Sequence, residues 1–536
     1  MLLGCPFTNE SHCSLNAGAC GEGLMCSMCA ADNNGCVAPD VIETACLFGG
    51  STTGTSETVT STTAPTTAGP SDTSTTTSSP TFPTSSEPTT MDVTLTVTSD
   101  DTGTSTTTST TDPMTDSTNT TEMRGCDPEF GNDQCAQPTP YCVETECVSC
   151  TQVPCAQVDP EKPACVEETG QCVQCVDNGD CSESAPYCDP DSATCKKCSM
   201  HEHCSEEAGG PGTACNLDDG VCFPADNVVW VDNTTGAPVL CNNNNPGTEE
   251  EPLCLLSYAF ARAMPGKPLT IKVRPGVGLQ SEFNAVTTAS DVALIGIGSD
   301  NVLLTRNGPE SALYASGGAR VYVHKISMYN PIMPINTNVM IDCKAATVWL
   351  DEVRVYNSKV GIRADNCVNH YRRVVIYDTV TGAVTLTNQA KLFMENSFIT
   401  RNGTIHGLNV TNGSSADILY STLALNSGTV APITCTNASN TVGIRNSFIA
   451  YAGDKATTCT LKEDLNNFTG KYATIQALIS DMVAASIQQG VIRAQTGGKL
   501  KDVAEWKDGD PREDFDSPNK RPAGEMNKDY AGADVP

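Results

Sequence analysis

The sequence predicts a mainly β protein whose largest part is a parallel β-helix, a solenoid in which short strands stack coil upon coil. Three observations predict this fold. Short segments rich in Val, Ile and Leu recur at intervals of 21–29 residues between positions 294 and 449. Asparagines recur there every 22–25 residues, and two cysteine pairs are each 24 residues apart. One coil of a solenoid has about this length and needs its neighbours to bury its apolar face.

Composition limits the partners and the compartment. The 536 residues include 63 Asp and Glu against 31 Lys and Arg, so the formal net charge is −32. Binding to a phosphate backbone needs clustered basic residues, so we expect no nucleic-acid partner. A reducing cytosol does not keep 29 cysteines bridged, which favours an exported protein unless metals hold them. The sequence contains no run of 18 apolar residues, so it predicts no membrane-spanning helix.

The cysteine distribution divides the chain. Seven cysteines lie in 1–46, none in 47–125, sixteen in 126–222 and six in 223–536. We therefore expect four parts: an N-terminal end with a small Cys-rich module (1–50), a linker (51–122), disulfide-rich repeats (126–223) and the β-helix (227–536). Thr, Ser and Pro dominate the linker, which has almost nothing to bury and is expected to be disordered. It suits either a projecting, O-glycosylated stalk or a plain interdomain connection.

The N-terminal motif Leu2-Leu3-Gly4-Cys5 resembles the lipobox of bacterial lipoproteins. The resemblance implies that Cys5 is acylated and anchors the protein in a membrane. Pro6 follows in place of Asp, which by the same resemblance favours the outer membrane and the cell surface. The apolar region of a signal sequence is missing upstream, so we expect the true start to lie further upstream. The alternative is that Cys5 is an ordinary disulfide partner or a free thiol.

A four-fold cysteine repeat follows the linker. Its first cysteines are 24, 25 and 23 residues apart, which predicts tandem disulfide modules that lack a core of their own. The sets are Cys126, Cys135, Cys142, Cys147; Cys150, Cys155, Cys165, Cys172; Cys175, Cys181, Cys188, Cys195; and Cys198, Cys204, Cys215, Cys222. CxxC pairs at the junctions leave zinc binding as an alternative. The repeat resembles the dickkopf-like Cys-rich units of secreted bacterial proteins, which implies a spacer or binding module.

The β-helix is predicted from β-rich segments that recur once per coil. They are 294–297, 323–330, 350–357, 371–378, 394–399, 419–426 and 444–449. Stacked Asn366, Asn388, Asn412 and Asn437 are expected to form a structural ladder. Cys343 and Cys367, and likewise Cys435 and Cys459, fall on neighbouring rungs about 4.8 Å apart, within disulfide range. Stacked free thiols are the alternative.

Both ends of this region resemble right-handed parallel β-helix domains of the pectin-lyase-like superfamily. The motifs are Trp230-Val231-Asp232, Gly247-Thr248, Pro252-Leu253-Cys254, Ala263-Met264-Pro265-Gly266, Ile271-Lys272-Val273-Arg274-Pro275-Gly276, Asp508-Gly509-Asp510-Pro511-Arg512 and Tyr530-Ala531-Gly532-Ala533-Asp534. The resemblance implies a short capping helix at about 254–264. Cys241 and Cys254, ahead of the first coil, are also expected to be disulfide-bonded.

Catalytic signatures of that superfamily are missing from 227–536. The weak catalytic candidates are Asp351, Arg354 and Arg373, in a charged patch for which an exposed ion-pair strip is the competing interpretation. Asp508, Asp510 and Asp514 are weak candidates for Ca²⁺ binding; otherwise no cofactor is expected. We expect a membrane-tethered surface protein whose β-helix binds a polysaccharide or another surface component. A polysaccharide lyase or glycoside hydrolase with an atypical site is the alternative.

Overall fold

A computed structural model describes two short pairs near the N-terminus and most of the chain from residue 135. The described ranges are 25–26, 36–37, 135, 139–144, 146–234, 241–275, 284–298, 302–306, 310–331, 339–400, 406–424, 430–472, 490–516, 520–522 and 525–534. The chain forms two compact units, 1–116 and 117–536. In the first, Met25–Cys26 pairs antiparallel with Cys36–Val37. Cys5 and the linker 51–122 lie outside the described residues. In the described ranges, no helix is long and apolar enough to cross a membrane.

The disulfide repeats are small hairpins, each closed by bridges within its own set of four cysteines. In the second, third and fourth sets the first cysteine bonds the third, and in all four sets the second bonds the fourth. The bridges are Cys135–Cys147, Cys150–Cys165, Cys155–Cys172, Cys175–Cys188, Cys181–Cys195, Cys198–Cys215 and Cys204–Cys222. The prediction of bridges confined to each set is confirmed for these sets, and bridged cysteines are not zinc ligands.

Short elements frame these bridges. The antiparallel pairs are Tyr141–Val143 with Glu146–Val148, Ala164–Val166 with Gln171–Val173, Tyr187–Asp189 with Thr194–Lys196, and Cys215–Asn216 with Val221–Cys222. An α-helical turn covers Cys155–Val158, and 3₁₀ turns cover Asn178–Asp180 and His201–Cys204. Asp177 caps the first 3₁₀ turn by accepting a hydrogen bond from the Gly179 amide at 2.8 Å.

The β-helix consists of two parallel sheets along which successive coils stack. Sheet 1 has the order Val228–Val231, Leu269–Val273, Asp291–Gly296, Arg320–His324, Thr347–Asp351, Val368–Arg372, Lys391–Glu395, Ser415–Leu419, Thr441–Arg445, Leu461–Leu465. Sheet 2 contains Asn284–Val286, Val302–Thr305, Leu313–Ser316, Ile326–Tyr329, Val339–Lys344, Arg354–Asp365, Val375–Thr387, Phe398–Thr400, Leu408–Val410, Thr422–Ala424, Ile433–Cys435, Phe448–Tyr451 and Phe468–Lys471. The predicted parallel β-helix is therefore confirmed.

Single residues in the left-handed conformation turn the chain at the corners. Each sheet 1 strand from Arg320–His324 onward is followed by a residue with φ between 43° and 55°: Lys325, Glu352, Arg373, Asn396, Tyr420, Asn446 and Asn466. Most recurring segments of the sequence are therefore two strands meeting at a corner. Leu350–Asn357, for example, turns at Glu352.

The predicted asparagine ladder is present in part. Asn366, Asn388 and Asn412 occupy a second corner, with φ of 54°, 54° and 51°. The Asn412 side-chain amide donates to Asn388 Oδ1 at 3.2 Å, and that of Asn388 donates to Asp365 at 2.7 Å. Asn437 does not continue the ladder, since its side-chain oxygen accepts from Ser439 instead. Asn suits these corners because its short side chain tolerates the left-handed region.

The core lies between the sheets and is a continuous stack of aliphatic side chains. Leu294, Val323, Leu350 and Ile444 are at most 1% exposed. Burial of one such side chain contributes about 1.5–3 kcal/mol. A buried serine ladder runs beside it, in which Ser421 Oγ accepts from the Ser397 amide and Ser447 Oγ accepts from the Ser421 amide.

Additional elements flank the stacked coils. A helix, Leu256–Phe260, lies within the expected 254–264 segment but is only five residues long, and its capping role stays a prediction. C-terminal residues from Val491 pack on the outside of sheet 2 against Phe398, Tyr420 and Phe448. There, Ala504–Glu505 pairs with Lys528–Asp529, after a turn at Glu525–Asn527. The structure also joins Cys241 to Cys254, Cys343 to Cys367 and Cys435 to Cys459.

Candidate functional site

The outward face of sheet 1 carries a column of aromatic rings, one on each successive strand. Strand register places Tyr322, Trp349, His370 and Phe393 in line. Neighbouring ring centroids are 4.4, 5.3 and 4.9 Å apart, with interplanar angles of 11°, 7° and 16°. Exposure rises along the column, because Tyr322 is fully buried whereas Phe393 is 41% exposed. The column therefore emerges from a covered part of the sheet onto an open one.

The open end of this column lies in a groove with a volume of about 600 Å³. In register beyond Phe393 come Asp417, Gly443 and Glu463. His370 covers one face of the Phe393 ring, and Asp417 follows on the next strand, on the side of the other face. A side chain at Gly443 would approach the Asp417 carboxylate at 2.8 Å, so glycine keeps this rung open.

The fourth disulfide repeat covers the buried end of the column and forms one wall of the groove. Tyr322 donates a hydrogen bond to Asn216 at 2.8 Å, and Phe223 packs edge-on against the Tyr322 ring. Arg372 donates to the Ser199 carbonyl at 3.3 Å, and Ser199 and Leu217 line the groove. The site is therefore built from two parts of the chain.

A buried charge cluster lies beside the aromatic column, centred on Asp351. Its carboxylate is 2% exposed. Arg372 binds it through two nitrogens at 3.0 and 2.6 Å, and Arg373 through two at 3.2 Å. His324 approaches it at 3.3 Å and reaches Glu202 of the fourth repeat at 2.9 Å. Opposite charges thus meet at the contact between the repeat and the β-helix.

This arrangement fixes the charge of each member. Burial alone would raise the pKa of Asp351, but Arg372, His324 and Arg373 hold it well below its usual range. Burial alone would lower the pKa of His324, but its carboxylate partners Asp351 and Glu202 raise it to about 9. His201, whose ring lies 5.3 Å from that of His324, has its pKa lowered to about 3 by burial and then by the neighbouring charge. The cluster is therefore charged at neutral pH in a defined pattern.

The structure places the sequence candidates differently from the expected exposed strip. Asp351 and Arg373 are buried, at 2% and 9% exposure, so that expectation is wrong for both. Arg354 begins the next strand of sheet 2, beyond the corner at Glu352, and is not among the ligands of Asp351. The ion pairing itself is present, but it serves the interior contact.

The three calcium candidates do not converge. Asp508 is exposed, whereas Asp510 accepts from Arg445, with one of the contacts at 2.7 Å. Asp514 is fully buried and lies near Asp516 and Asp534. Burial, followed by the adjacent Asp514, raises the pKa of Asp534 to about 7. Asp514 and Asp534 are both buried, with carboxylate oxygens within 4.8 Å of each other, so they cannot both ionise freely.

Sequence reasoning missed Phe393, Glu395 and Asp417. The detectable signal was positional, since Trp349, His370 and Phe393 each stand two residues before a charged residue that closes a sheet 1 strand. Coil-by-coil alignment of the repeating segments would have shown this aromatic column. Glu395 lies in the groove, and burial raises its pKa.

Comparisons with known proteins give a partial match of sequence and of structure. A family of unknown function, DUF8331, matches residues 112–228. The crystal structure of pectate lyase Pel9A is similar to this chain at 15% sequence identity, with a TM-score of 0.32, covering 58% of this chain and 96% of that chain. No curated protein gives a significant match. The fold is established by the strand register, and the function is argued from the groove.

Proposed function

We propose that the groove on sheet 1 binds a polysaccharide, displayed by an exported protein that is tethered to a membrane through Cys5. One observation carries the proposal. The Phe393 ring is 41% exposed and lines an open groove together with the side chains of Glu395 and Asp417.

Sugar rings match such a surface. Their C–H groups carry partial positive charge and pack on the negative face of an aromatic ring. Their hydroxyl groups can donate to carboxylates such as those of Glu395 and Asp417, which line the same groove. The groove is open at the Gly443 rung, so a polysaccharide could extend past the Phe393 ring rather than end on it.

Binding without bond cleavage fits the charged groups better than lyase chemistry does. A lyase needs a base and a cation close to the forming negative charge. Burial opposes protonation of Arg372, but Asp351 raises the pKa of its guanidinium above the usual value, so it cannot serve as a base. Arg445 is likewise held by Asp510.

The test is Phe393→Ala in the full chain, with binding to a soluble polysaccharide panel measured by affinity electrophoresis. Loss of a central aromatic anchor typically costs at least about 2 kcal/mol, or more than tenfold in affinity. Tyr258→Ala is the matched control, because Tyr258 is 49% exposed on the helix Leu256–Phe260, outside the groove. Equal losses in the two variants would remove the groove from the proposal.

Hydrolysis is the second candidate, and Glu395 favours it. Burial raises the pKa of this carboxyl, as a general acid requires. Asp417 lies one strand across and two residues back from Glu395 on the same face of the sheet, which separates their Cα atoms by roughly 8 Å. Inverting glycosidases separate their carboxyls by about 6.5–9.5 Å. We expect no new reducing ends from the wild-type protein; turnover that Glu395→Gln abolishes would establish the second candidate.

The tether has its own test. With an upstream signal sequence supplied, the protein is expected to incorporate a fatty-acid analogue and to partition into detergent. Cys5→Ala should abolish both. Bridged cysteine sets support export, because oxidising compartments keep such bonds. Labelling that persists in Cys5→Ala would end the lipobox interpretation without affecting the groove.

A further inference from the structure

We infer that the groove selects polysaccharides made of neutral sugars and rejects polyuronates. This inference rests on the proposed function and names the ligand class. It follows from how the charges that line the groove are paired.

Both arginines of the groove are already engaged. Arg372 donates twice to Asp351, at 3.0 and 2.6 Å, and Arg445 binds both oxygens of Asp510. Lys462, whose side chain is 66% exposed, has a loose contact with Asp417 at 4.0 Å. At either arginine, a uronate carboxylate would have to displace the internal partner. For Arg372 that would leave the buried Asp351 without its closest ligand, which is costly.

The acidic side chains, in contrast, are available. Among the described residues, neither Glu395 nor Glu463 has an ion pair, although both line the groove. Asp417 has only the loose contact with Lys462, and its side chain is 48% exposed. Three carboxylates with accepting oxygens suit the hydroxyl groups of a neutral sugar. The negative charges of Asp417 and Glu463 repel a chain that carries one negative charge on each residue.

The charge of the whole chain acts in the same direction. With a formal net charge of −32, the long-range field slows the approach of a polyanion. The Phe393 ring needs no charge on its ligand, because contact of an aromatic ring with C–H groups is short-range. Binding of a neutral chain should therefore respond weakly to salt.

The experiment is a binding panel with the full chain. Neutral probes are mixed-linkage β-glucan, galactomannan and xylan; acidic probes are polygalacturonate and alginate, each with and without Ca²⁺. The expected result is binding of at least one neutral polymer, with a dissociation constant that changes less than about twofold between roughly 0.05 and 0.5 M NaCl. Polyuronates should bind at least about tenfold more weakly.

A charge reversal sharpens the test. Glu463→Lys should raise the affinity for polygalacturonate at low salt at least about threefold, because it replaces a negative charge of the groove with a positive one. Glu168→Lys makes the same change on an exposed residue of the second disulfide repeat and should leave that affinity unchanged. An equal gain in both variants would show a bulk charge effect and overturn the inference.

The two levels of the proposal fail differently. Polyuronate binding by the wild-type protein that equals neutral binding, and that Phe393→Ala abolishes, would overturn the neutral preference and leave the groove as the binding site. Lack of binding to every polymer, neutral or acidic, would overturn both.

Discussion

The disulfide repeats and the β-helix have nearly the same period but are stabilised by different means. First cysteines of the repeats step by 24, 25 and 23 residues, and the apolar segments of the coils step by 21–29. In the second repeat, the buried cluster consists of Cys150, Cys155 and Cys172. In the β-helix, the corresponding interior is an unbroken aliphatic stack.

This difference shows that the period alone does not define the architecture. Units whose repeated residue is cysteine are closed internally, so each needs little from its neighbour. Units whose repeated residue is aliphatic gain stability only when they stack. The fourth repeat is stabilised in both ways. It has two bridges of its own, and it also packs on Tyr322 of the β-helix.

Removing one bridge from each region gives the sharpest contrast. Cys204→Ala with Cys222→Ala is expected to cost about 2–5 kcal/mol and to open the fourth repeat locally, because the buried cluster of this repeat consists of its cysteines. Cys343→Ala with Cys367→Ala should leave its coils folded, since both positions lie in the aliphatic core. Amide hydrogen exchange, read region by region, measures this.

The entropic model of disulfides makes the opposite ranking. Cys343–Cys367 closes a longer loop than Cys204–Cys222, with separations of 24 and 18 residues. Loop length alone therefore assigns the larger loss to the β-helix bridge. Greater loss of protection in the coils than in the repeat would show that the β-helix also depends on its bridge rather than on stacking.

The contact between the regions depends on Asp351. Asp351→Ala leaves two arginines and a histidine buried without their shared partner, and we expect a loss of about 3–5 kcal/mol in unfolding free energy. Asp342→Ala is the matched control, because Asp342 pairs with Arg363, whose side chain is 50% exposed. That surface pair should contribute about 0–1 kcal/mol. Urea unfolding measures both, and equal losses would show that burial of the cluster adds nothing.

Sequence reasoning reached the β-helix because its evidence repeats. Coil spacing, stacked asparagines and bridge-length cysteine separations all point to the same rung-to-rung geometry. The corners were harder to predict. Glu352, Arg373 and Tyr420 occupy left-handed positions there, although none of these residue types favours that conformation. Such positions are set by the strands on either side.

The candidate site could be predicted only in part. Asp351 and Arg373 were correctly associated with ion pairing, but their burial depends on a repeat more than 120 residues away in sequence. Glu202, which reaches His324 at 2.9 Å, is on that repeat. No periodicity within the β-helix reports which of its faces another part of the chain covers. The groove begins where that cover ends, so its position could not be read from the coils alone.

Alkaline pH should weaken the same contact. The pKa of His324 is raised to about 9 in the folded protein, against about 6.5 when unfolded. Its stabilising contribution is therefore complete below about pH 6.5 and is lost as pH rises through 9. Protection of the fourth repeat, measured between pH 6 and 10, should fall in this window and be flat in His324→Gln.

His370 supplies the control for that pH profile. It lies in the neighbouring aromatic column, and burial lowers its pKa, so it is neutral throughout the alkaline window. His370→Gln should keep the alkaline loss of protection. Loss of the pH dependence in His370→Gln, or its survival in His324→Gln, would assign the transition to another group.

The smallest effect concerns a corner of the β-helix, where backbone geometry replaces covalent closure. Asn412 has φ of 51°, is exposed, and donates to Asn388 at 3.2 Å. Alanine in a left-handed position costs roughly 1 kcal/mol, whereas glycine adopts it without that penalty. We therefore expect Asn412→Ala to lower the unfolding free energy by about 1 kcal/mol and Asn412→Gly to lower it by less. If the ladder hydrogen bond, rather than the backbone, determined stability, both variants would lose the same amount, because both remove the amide. Urea unfolding of the Asn412→Ala and Asn412→Gly variants distinguishes the two causes. If neither variant lowered the unfolding free energy, stacking of the coils alone would determine the turn.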